Sequence, residues 1–538
     1  MKRVFGWLTG ALMVFTCAVS ASAQGTGAQI NESAVSIVVY VDQSNPEASD
    51  SNPGSQAQPL LTIGAAVAIA AGNVAHGTKI EVGPGVYRER IILNRFNASN
   101  PAPLIIEAST PGAAIVSGAD VWTGWQSQGD GTYTKPWPYS WGNAPSPAGW
   151  PSLPAIVTRR EMVFVNGVAL VQQLSLPLPG PGTFNVSDGG TITIFPATGL
   201  DLSSATVEVA TRAGLLQTPN GISNLVLRGL VFADDGTPVN SVGNGAVKLV
   251  GGANILVDNC TFNHNNWLGM SVSGGPARQI TIQDSFADHN GENGIALSKL
   301  DNLLFDSNQT SSNNWRGAAG GFVSFDADGM KTSRIHDATF SNSVSAYNQT
   351  GGWWFDTDNA NLLIQNDQFC GNQTNGLFVE ASEGPVKIQS SLLLGNLFNG
   401  FQMANSTYVN LQSNVIVSNA KAGIFIGGSD SPRNVTNYAT GQSYALYSQY
   451  FTLGADHVMG TAASQFVLTS SLSGSWALFA ASINSDNNVW FNQFNSAPFS
   501  TKFGRQNLGG WQSSSKQDEN STWANPNDSL PAYCGTPD

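Results

Sequence analysis

The chain has 538 residues, of which only 11% are charged and 58 are Gly, and its formal net charge is −13. Low charge combined with many turn-forming residues is typical of a repetitive β protein. The negative charge and the lack of a basic run make nucleic acid a poor partner. The same charge argues against a strongly anionic polymer as substrate unless a cation bridges the two.

Residues 1–23 have the pattern of a secretory signal peptide. Lys2 and Arg3 precede an apolar run at 4–19, and a small-residue Ala-Ser-Ala sequence at 21–23 provides a cleavage site. The apolar run is too short for a typical transmembrane helix. We therefore expect a secreted protein, periplasmic or extracellular, that does not insert into the membrane.

Residues 24–118 are expected to form an N-terminal cap and the first coils of a solenoid. Residues 36–42 read as a strand, and residues 59–71 have helical composition with Thr62 as a candidate N-cap. A second strand is predicted at 79–82, before a Gly-Pro-Gly-Val-Tyr turn. A helix at this place would cover the apolar side chains and unpaired strand edge of the first coil.

The segment 119–212 interrupts the repeat. It is rich in Trp and Pro, and its Asn166-Gly167 and Asp188-Gly189 pairs stand between alternating runs, which indicates antiparallel hairpins. We expect a small β-sandwich inserted into the solenoid, although a long decorated loop is the alternative. The main repeat is expected over 213–510, followed by a polar C-terminal tail at 511–538.

A recurring Asn-x-x-x-Gly signal defines the repeat. It occurs seven times, and its Asn residues are separated by 25, 23, 35, 24, 24 and 23 positions. A regular period of this size is the mark of a solenoid. The Asn residues are Asn265, Asn290, Asn313, Asn348, Asn372, Asn396 and Asn419.

The residues after each Gly alternate as in a β-strand. The first and third positions are apolar, as in Trp353/Phe355 and Leu377/Val379, whereas the second and fourth positions vary. Period-two alternation places the first and third side chains inside and the others outside. Twenty-odd residues suit one coil of three short strands, so the fold class is predicted to be an all-β parallel β-helix. The recurring Asn is interpreted as an internal ladder between coils.

The longest spacing marks an insertion within the repeat. It places about eleven extra residues near 316–328, a Gly-rich segment one coil before Asp356. A loop overhanging one face of the coil is expected to form the wall of a cleft.

One pair of neighbouring repeats carries a carboxylate at the same position. Asp356 and Glu380 both occupy the fourth position after the repeat Gly. Adjacent strands lie about 4.8 Å apart, so the two carboxylates are expected about 5 Å apart, the separation used by retaining glycosidases. Two such close carboxylates cannot both ionise freely, so one pKa must rise. The pair would supply one ionised nucleophile and one protonated acid.

Exposed aromatic side chains are predicted beside this pair. Trp354 and Phe378 occupy the second outward position, where they suit stacking against sugar rings, or burial beneath the inserted segment. Further candidates for substrate binding surround them, namely Asp358, Lys331, Trp315, Arg316 and Glu383. Three His residues fall in or near turns and are expected to be structural: His264, His289 and His336.

The segment around these carboxylates resembles a known family. Trp-Trp-Phe-Asp356, Leu-Phe-Val-Glu380 and Glu383-Gly-Pro are similar to the catalytic region of the secreted β-helix retaining β-xylosidases. The resemblance implies a right-handed, pectin-lyase-like β-helix with an N-terminal capping helix and an inserted small β-sandwich. It also implies that Asp356 is the nucleophile and Glu380 the acid/base of a glycoside hydrolase. Thr357-Asp358-Asn359 departs from that family's pattern, which leaves the sugar specificity open.

Two other functions remain open from the sequence. Asp326-Ala-Asp328-Gly-Met-Lys331 resembles a region of the calcium-dependent β-helix pectate lyases. In that case Asp326 and Asp328, with Asp356 and Asp358, would offer oxygen ligands for Ca²⁺, and Lys331 would abstract a proton. A non-catalytic glycan-binding protein would need the aromatic side chains but not the carboxylate pair. The hydrolase needs no cofactor, and the oligomeric state is not determined.

Cysteine content gives one further expectation. After removal of a signal peptide three cysteines remain, Cys260, Cys370 and Cys534. An odd number does not make a disulfide framework. Because Cys260 and Cys370 end strand-like runs, both are predicted to be buried thiols.

Overall fold

The structure is a computed structural model that describes residues 25–240 and 243–526. The predicted signal peptide at 1–23 lies outside these residues. Within the described ranges every helix is too short or too polar to cross a membrane. The fold is almost entirely β, so the predicted all-β solenoid is confirmed.

The chain winds into a parallel β-helix with three faces. Two faces belong to one 24-stranded sheet, because two long strands, Ile295–Asp306 and Asp328–Ser341, run continuously from one face onto the next. Each of these two strands starts on one face, which we call the site face, and continues onto the second face. The other parallel strands of the site face are Ile91–Ile92, Leu216–Gln217, Gly245–Leu249, Leu268–Val272, Gly351–Asp356, Leu377–Glu380, Asn399–Ala404, Ala422–Gly427, Phe466–Ser470 and Phe499–Thr501, the last of which pairs antiparallel with Gly504–Gln506.

The second and third faces complete each coil. The second face holds Val35–Val41, Gly77–Val82, Leu104–Ala108, Leu225–Arg228, Gly252–Asp258, Ala277–Gln283, Ala360–Gln365, Val386–Gln389, Thr407–Gln412, Gln449–Gly454 and Asn484–Asp486. The third face holds Gly85–Tyr87, Ala114–Ser117, Leu230–Ala233, Thr261–Asn263, Phe286–Asp288, Gln309–Ser311, Val344–Ala346, Gln368–Cys370, Leu392–Leu394, Val415–Val417, His457–Met459, Val489–Phe491 and Thr522–Trp523.

Apolar side chains from all three faces fill the interior. On the site face, Trp353, Phe355, Leu377 and Val379 are at most 1% exposed, whereas the side chains between them point outward. Strand alternation therefore separates a continuous core from an outer row of functional groups. Burial of this core is the main favourable contribution to folding.

A ladder of buried Asn side chains runs along the coils, as the repeat predicts. The Asn372 amide donates to Asn396 Oδ1 at 2.9 Å, and its own Oδ1 accepts from the Asn348 amide at 2.8 Å. The remaining rungs join Asn265 to Asn290, Asn290 to Asn313, Asn313 to Asn348, and Asn396 to Asn419. Each amide also satisfies backbone groups at the turn, which fixes the corner where every site-face strand begins.

The predicted insertion folds as two small sheets packed on each other. One contains Gln126–Ser127, Tyr133–Pro136, Val171–Gln173, Thr183–Val186 and Thr191–Phe195, and the other contains Ala119–Val121, Val163–Val165, Val168–Ala169 and Val207–Ala210. They share a core that includes Trp137, Phe184 and Ile192. We call this unit the inserted subdomain.

Both ends of the described coil are covered by helices. Ile63–Ala71 lies at the N-terminal end, where Thr62 accepts a hydrogen bond from the Ala65 amide as its N-cap. At the other end Leu508–Ser515 buries Trp511, which stacks on Phe499 with ring centroids 5.6 Å apart. The predicted tail boundary at 510/511 falls inside this helix, because Trp511 closes the core. The remaining helices are Glu32–Ala34, Trp315–Ala319 and Trp476–Ala480.

Two insertions project from the coil beside the site face. The segment at 316–328, predicted as a loop, begins with the short helix Trp315–Ala319. A second insertion forms the hairpin Arg433–Thr436 and Ser443–Leu446. Asn414 bonds its counterpart in the next coil, Asp456, which is 42 residues later because the hairpin lies between them. In the preceding coil the equivalent partners, Ser391 and Asn414, are only 23 residues apart.

The cysteine expectation is half right. Cys260 is a free, buried thiol, and burial raises its pKa to about 12. Cys370 is disulfide-bonded, so the prediction of a thiol there is wrong. The odd number of cysteines that remain after removal of the predicted signal peptide does not prevent a single disulfide.

Removing one rung of the Asn ladder should destabilise the whole solenoid. We expect Asn372→Ala to lower the free energy of unfolding by about 3 kcal/mol, because it leaves buried donors and acceptors of two neighbouring coils unsatisfied. The same change at exposed Asn31, which bonds only Ser33 through its side chain, should cost less than about 0.5 kcal/mol. Urea unfolding followed by circular dichroism measures both, and equal effects would contradict the ladder.

Candidate functional site

Two carboxylates stand side by side on the site face. Asp356 and Glu380 end neighbouring strands and are paired in register. Ser333 holds the same position on the preceding strand, and Ala404 holds it on the following strand. Phe355 and Val379 point into the core, so the following side chains point outward. Each carboxylate side chain is 20% exposed. They are therefore neighbours at one strand spacing, about 4.8 Å between backbones.

A guanidinium from the 433–446 hairpin joins the two carboxylates. Arg433 Nη1 bonds Glu380 Oε1, and its Nη2 lies 3.5 Å from Asp356 Oδ1. On the other side, Lys331 Nζ lies 3.4 Å from Asp356 Oδ2 and 3.2 Å from Asp326 Oδ1. The Thr357 hydroxyl donates to Asp356 Oδ1 at 2.7 Å. Three donors, from Arg433, Lys331 and Thr357, therefore hold the Asp356 carboxylate in position.

The second carboxyl of the pair, Glu380, has a shifted pKa. Burial and the neighbouring Asp356 charge raise the pKa of Glu380, and Arg433 and Lys331 offset this only in part. A carboxyl with a raised pKa can hold a proton near neutral pH and release it to a leaving group. The two acids thus differ in environment although they share one register.

An aromatic surface adjoins the acid pair. Trp354 and Phe378 are paired in register on neighbouring strands. Their rings stack with centroids 5.1 Å apart and an interplanar angle of 24°. Lys331 Nζ lies 3.2 Å from the centroid of the Trp354 ring, a cation–π contact. The Trp354 indole N–H is buried and has no hydrogen-bond partner in the described chain, so the ring contributes its apolar face to this surface.

A cleft continues from Lys331 towards the inserted subdomain. This cavity has a volume of about 180 Å³, and Asp326, Lys331 and Ser333 line one end of it. Trp150 of the inserted subdomain forms the opposite wall and packs near Trp267 and Phe322. The inserted subdomain thus converts an open strand surface into a concave site.

Glu292 lies at the bottom of this cleft and was not singled out by the sequence. It is 1% exposed, and its Oε1 has no hydrogen-bond partner among the described residues. Burial and the nearby Asp326 charge raise the pKa of Glu292 well above its ordinary value. A protonated carboxyl at this place can donate a hydrogen bond into the cleft.

Two predicted substrate-binding residues turn away from the cleft. Asp358 is fully buried, where its Oδ1 lies 3.2 Å from His336 Nε2 and its Oδ2 accepts from the Tyr438 amide at 2.7 Å. Glu383 is 9% exposed and accepts from Asn437 Nδ2 at 3.0 Å. We correct both assignments, because the coil turns a corner after Asp356 and Glu380 and draws the next acids inward.

The structure places Trp315 and Arg316 apart from the cleft beside Lys331, on a second cavity of about 300 Å³, so their role in binding stays a prediction. Arg316 is 1% exposed and donates to Asn266 Oδ1, Gln172 Oε1 and the Glu161 carbonyl. Trp315 packs on a small apolar cluster of the inserted subdomain. Both residues attach this subdomain to the coil, because their short helix lies beneath it, and neither lines the cleft beside Lys331.

The four Asp residues considered as Ca²⁺ ligands do not form one group. Asp326 pairs with Lys331, whereas Asp328 is 6% exposed and burial raises its pKa well above the ordinary value. Asp356 faces Arg433, and Asp358 faces His336. In the described part of the chain, the acidic, His and Cys side chains whose ligand atoms gather within 4.8 Å are His336, Asp358 and Glu383.

Arg433 was missed by sequence reasoning, although a signal for it exists. The repeat lengthens after Asn419 much as it does before Asn348, and a lengthened coil beside the acid pair implies a projecting segment. The expectation of one main repeat over 213–510 did not provide for this hairpin. No sequence signal places Trp150 or Glu292 at the cleft, since their contacts span distant segments.

Comparisons with known proteins agree with this architecture. The family model described as right handed beta helix region matches residues 235–391, and that of the periplasmic copper-binding protein NosD matches residues 319–525. No curated protein sequence matches the chain. The structure of XylC in complex with xylose is similar, with a TM-score of 0.66 and 14% identity over 85% of this chain and 84% of that chain.

A weaker likeness exists to another solved structure, the A-module of the mannuronan C-5 epimerase AlgE6 from Azotobacter vinelandii. Its TM-score is 0.48 at 14% identity, covering 86% of this chain and 94% of that chain. The predicted resemblance to right-handed, pectin-lyase-like β-helix proteins is confirmed by the fold. The chain is a right-handed parallel β-helix protein that resembles XylC.

The environment of Glu380 can be tested directly. Arg433→Gln should raise the pKa of Glu380 further, because it removes the guanidinium that opposes burial and the Asp356 charge. Titration of glutamate-labelled protein by ¹³C NMR, with Glu380→Gln for assignment, measures the shift. Arg505→Gln, which changes an exposed Arg stacked on Phe466, should leave the resonance unchanged. A lowered pKa in Arg433→Gln would contradict the arrangement.

Proposed function

We propose that this protein is a glycoside hydrolase that cleaves a neutral or weakly charged polysaccharide or oligosaccharide with retention of configuration. Asp356 acts as the nucleophile and Glu380 as the acid/base. The observation that carries the proposal is the placement of two outward carboxylates at one register on neighbouring strands. That spacing matches the separation of about 5–5.5 Å at which one acid can attack the sugar while the other protonates the leaving oxygen.

The environments of the two acids support distinct roles. Asp356 accepts from the Thr357 hydroxyl and faces Lys331 and Arg433, which orient its carboxylate for attack on the anomeric carbon. Glu380 has a raised pKa and can deliver its proton to the glycosidic oxygen. After the leaving group departs, the ionised Glu380 would take a proton from the water that hydrolyses the glycosyl-enzyme.

Ion pairing alone does not distinguish this site within the protein. On the second face Arg228 also joins two carboxylates of neighbouring strands, Glu107 at 2.9 Å and Asp258 at 2.8 Å. That group has no aromatic pair beside it on its strands. The stacked rings of Trp354 and Phe378 and the adjoining cleft therefore support substrate binding at the site face.

The substrate class follows from the surface beside the acids. A stacked Trp and Phe present an apolar face to a pyranose ring. The likeness to XylC, whose structure contains xylose, supports a sugar of this kind. An extracytoplasmic location is part of the proposal, in keeping with the predicted signal peptide at 1–23.

Removing either carboxylate should abolish hydrolysis. We expect Asp356→Ala and Glu380→Ala each to lower kcat by at least about 10³-fold on aryl glycosides. Azide should restore cleavage by Asp356→Ala and yield a glycosyl azide of inverted configuration, because it occupies the vacated space. A panel of aryl glycosides and polysaccharides, with product stereochemistry read by NMR, measures both.

The charge cluster on the second face provides the matched control. Glu107→Gln and Asp258→Asn change equivalent carboxylates paired with Arg228, and both variants should keep the wild-type rate. Full activity in both site variants, or products of inverted configuration, would overturn the proposal. A Ca²⁺-dependent lyase would instead release an unsaturated uronate, which absorbs ultraviolet light. Its formation would stop when a chelator is added.

The aromatic pair should govern substrate binding more than chemistry. Trp354→Ala is expected to raise KM by about 10-fold, because it removes a stacking surface worth about 1–2 kcal/mol. Steady-state kinetics on the best substrate measures this change. Phe425→Ala is the control, since that outward aromatic follows the same row two coils beyond Phe378. Equal effects of both variants would contradict the assignment.

A further inference from the structure

The corner beside the acid pair holds a second cluster that the proposed hydrolysis does not use. His336, Asp358 and Glu383 come from three successive coils and meet where the site face turns into the second face. Their ligand atoms, one from each residue, all lie within 4.8 Å of one another. Ligand atoms about 2.0–2.2 Å from one tetrahedrally bound ion lie about 3.3–3.6 Å apart, so side-chain rotations that draw the three atoms together by about 1 Å would suffice.

One atom of this cluster has an unmet need for a partner. Glu383 is only 9% exposed, and in the described ranges its Oε2 receives no bond from an N–H or hydroxyl donor, so its hydrogen-bonding neighbour is a second acid, Asp358. Leaving a buried carboxylate oxygen unsatisfied is costly. Asp358 is fully buried beside it, so two acids share a space from which water is largely excluded. A bound cation would satisfy Glu383 Oε2 and balance both charges.

We propose that His336, Asp358 and Glu383 bind one divalent transition-metal ion. An imidazole with two carboxylates suits ions such as Zn²⁺, Mn²⁺ or Cu²⁺ and is not the all-oxygen set that Ca²⁺ prefers. His336 Nε2 faces Asp358 Oδ1 at 3.2 Å, and an ion inserted between them would replace this contact by two ligand bonds.

The 433–446 hairpin supplies the surrounding support. The Tyr438 amide donates to Asp358 Oδ2, and Asn437 Nδ2 donates to Glu383 Oε1, which orients both carboxylates. The Tyr438 ring lies against His336 with centroids 4.7 Å apart. The same hairpin carries Arg433 to the acid pair. Binding of an ion would therefore hold the hairpin, and with it the guanidinium, against the coil.

Metal binding is tested on the full-length protein without any glycoside. After treatment with EDTA and dialysis, Zn²⁺, Mn²⁺, Cu²⁺ and Ca²⁺ are titrated separately by calorimetry at pH 7, and bound metal is counted by mass spectrometry. We expect one transition-metal ion per chain, at least 10-fold weaker binding of Ca²⁺, and a rise in Tm of roughly 2 °C or more. Binding should weaken at pH 5, since ligands must lose protons.

Variants locate the ion. His336→Ala and the near-isosteric Glu383→Gln should each weaken binding at least 10-fold, while circular dichroism in EDTA checks that they fold. His289→Ala is the control, because His289 pairs with Asp288 but has no third ligand. Glu380→Gln should retain the ion. The absence of one stoichiometric ion in the wild type, or unchanged binding in both cluster variants, would overturn the proposal whether or not the protein hydrolyses glycosides.

Discussion

Coil-to-coil hydrogen bonding in register is the constraint on which the rest of this structure depends. Each strand lies directly over its counterpart in the previous coil, so equivalent side chains stack in rows with one strand spacing between them. An inward row becomes core and an outward row becomes surface. The buried Asn ladder keeps each coil from slipping, because a one-residue shift would turn the outward acids into the core.

This constraint explains how one protein presents two acids in close contact. Like charges side by side are unfavourable, and the neighbouring coils avoid them by having Ser, Ala or Gly at the matching position. At Asp356 and Glu380 the repulsion is offset by Arg433, which projects from the 433–446 hairpin, and by Lys331, which lies on the preceding site-face strand. The coil provides the spacing, and the coil and the hairpin each provide one compensating charge.

The corner after the acid pair shows how the same register serves a second purpose. Two residues beyond Asp356 and three beyond Glu380, the chain turns and directs Asp358 and Glu383 inward against His336. The hairpin at 433–446 touches both groups, bonding the acid pair through Arg433 and the corner through Asn437 and Tyr438. The two clusters are thus mechanically joined, although they have different chemistry.

The sequence by itself determined the solenoid, its period, the inward and outward rows and the adjacency of Asp356 and Glu380, because all of these follow from local alternation and a repeating spacing. The tertiary structure decided which neighbouring polar residues face the cleft. Asp358 and Glu383 turn into a corner, and Arg316 anchors the inserted subdomain. Arg433, Trp150 and Glu292 reach the site from segments far apart in the chain. Orientation at corners and contacts between insertions depend on packing over long sequence separations, which no local periodicity encodes.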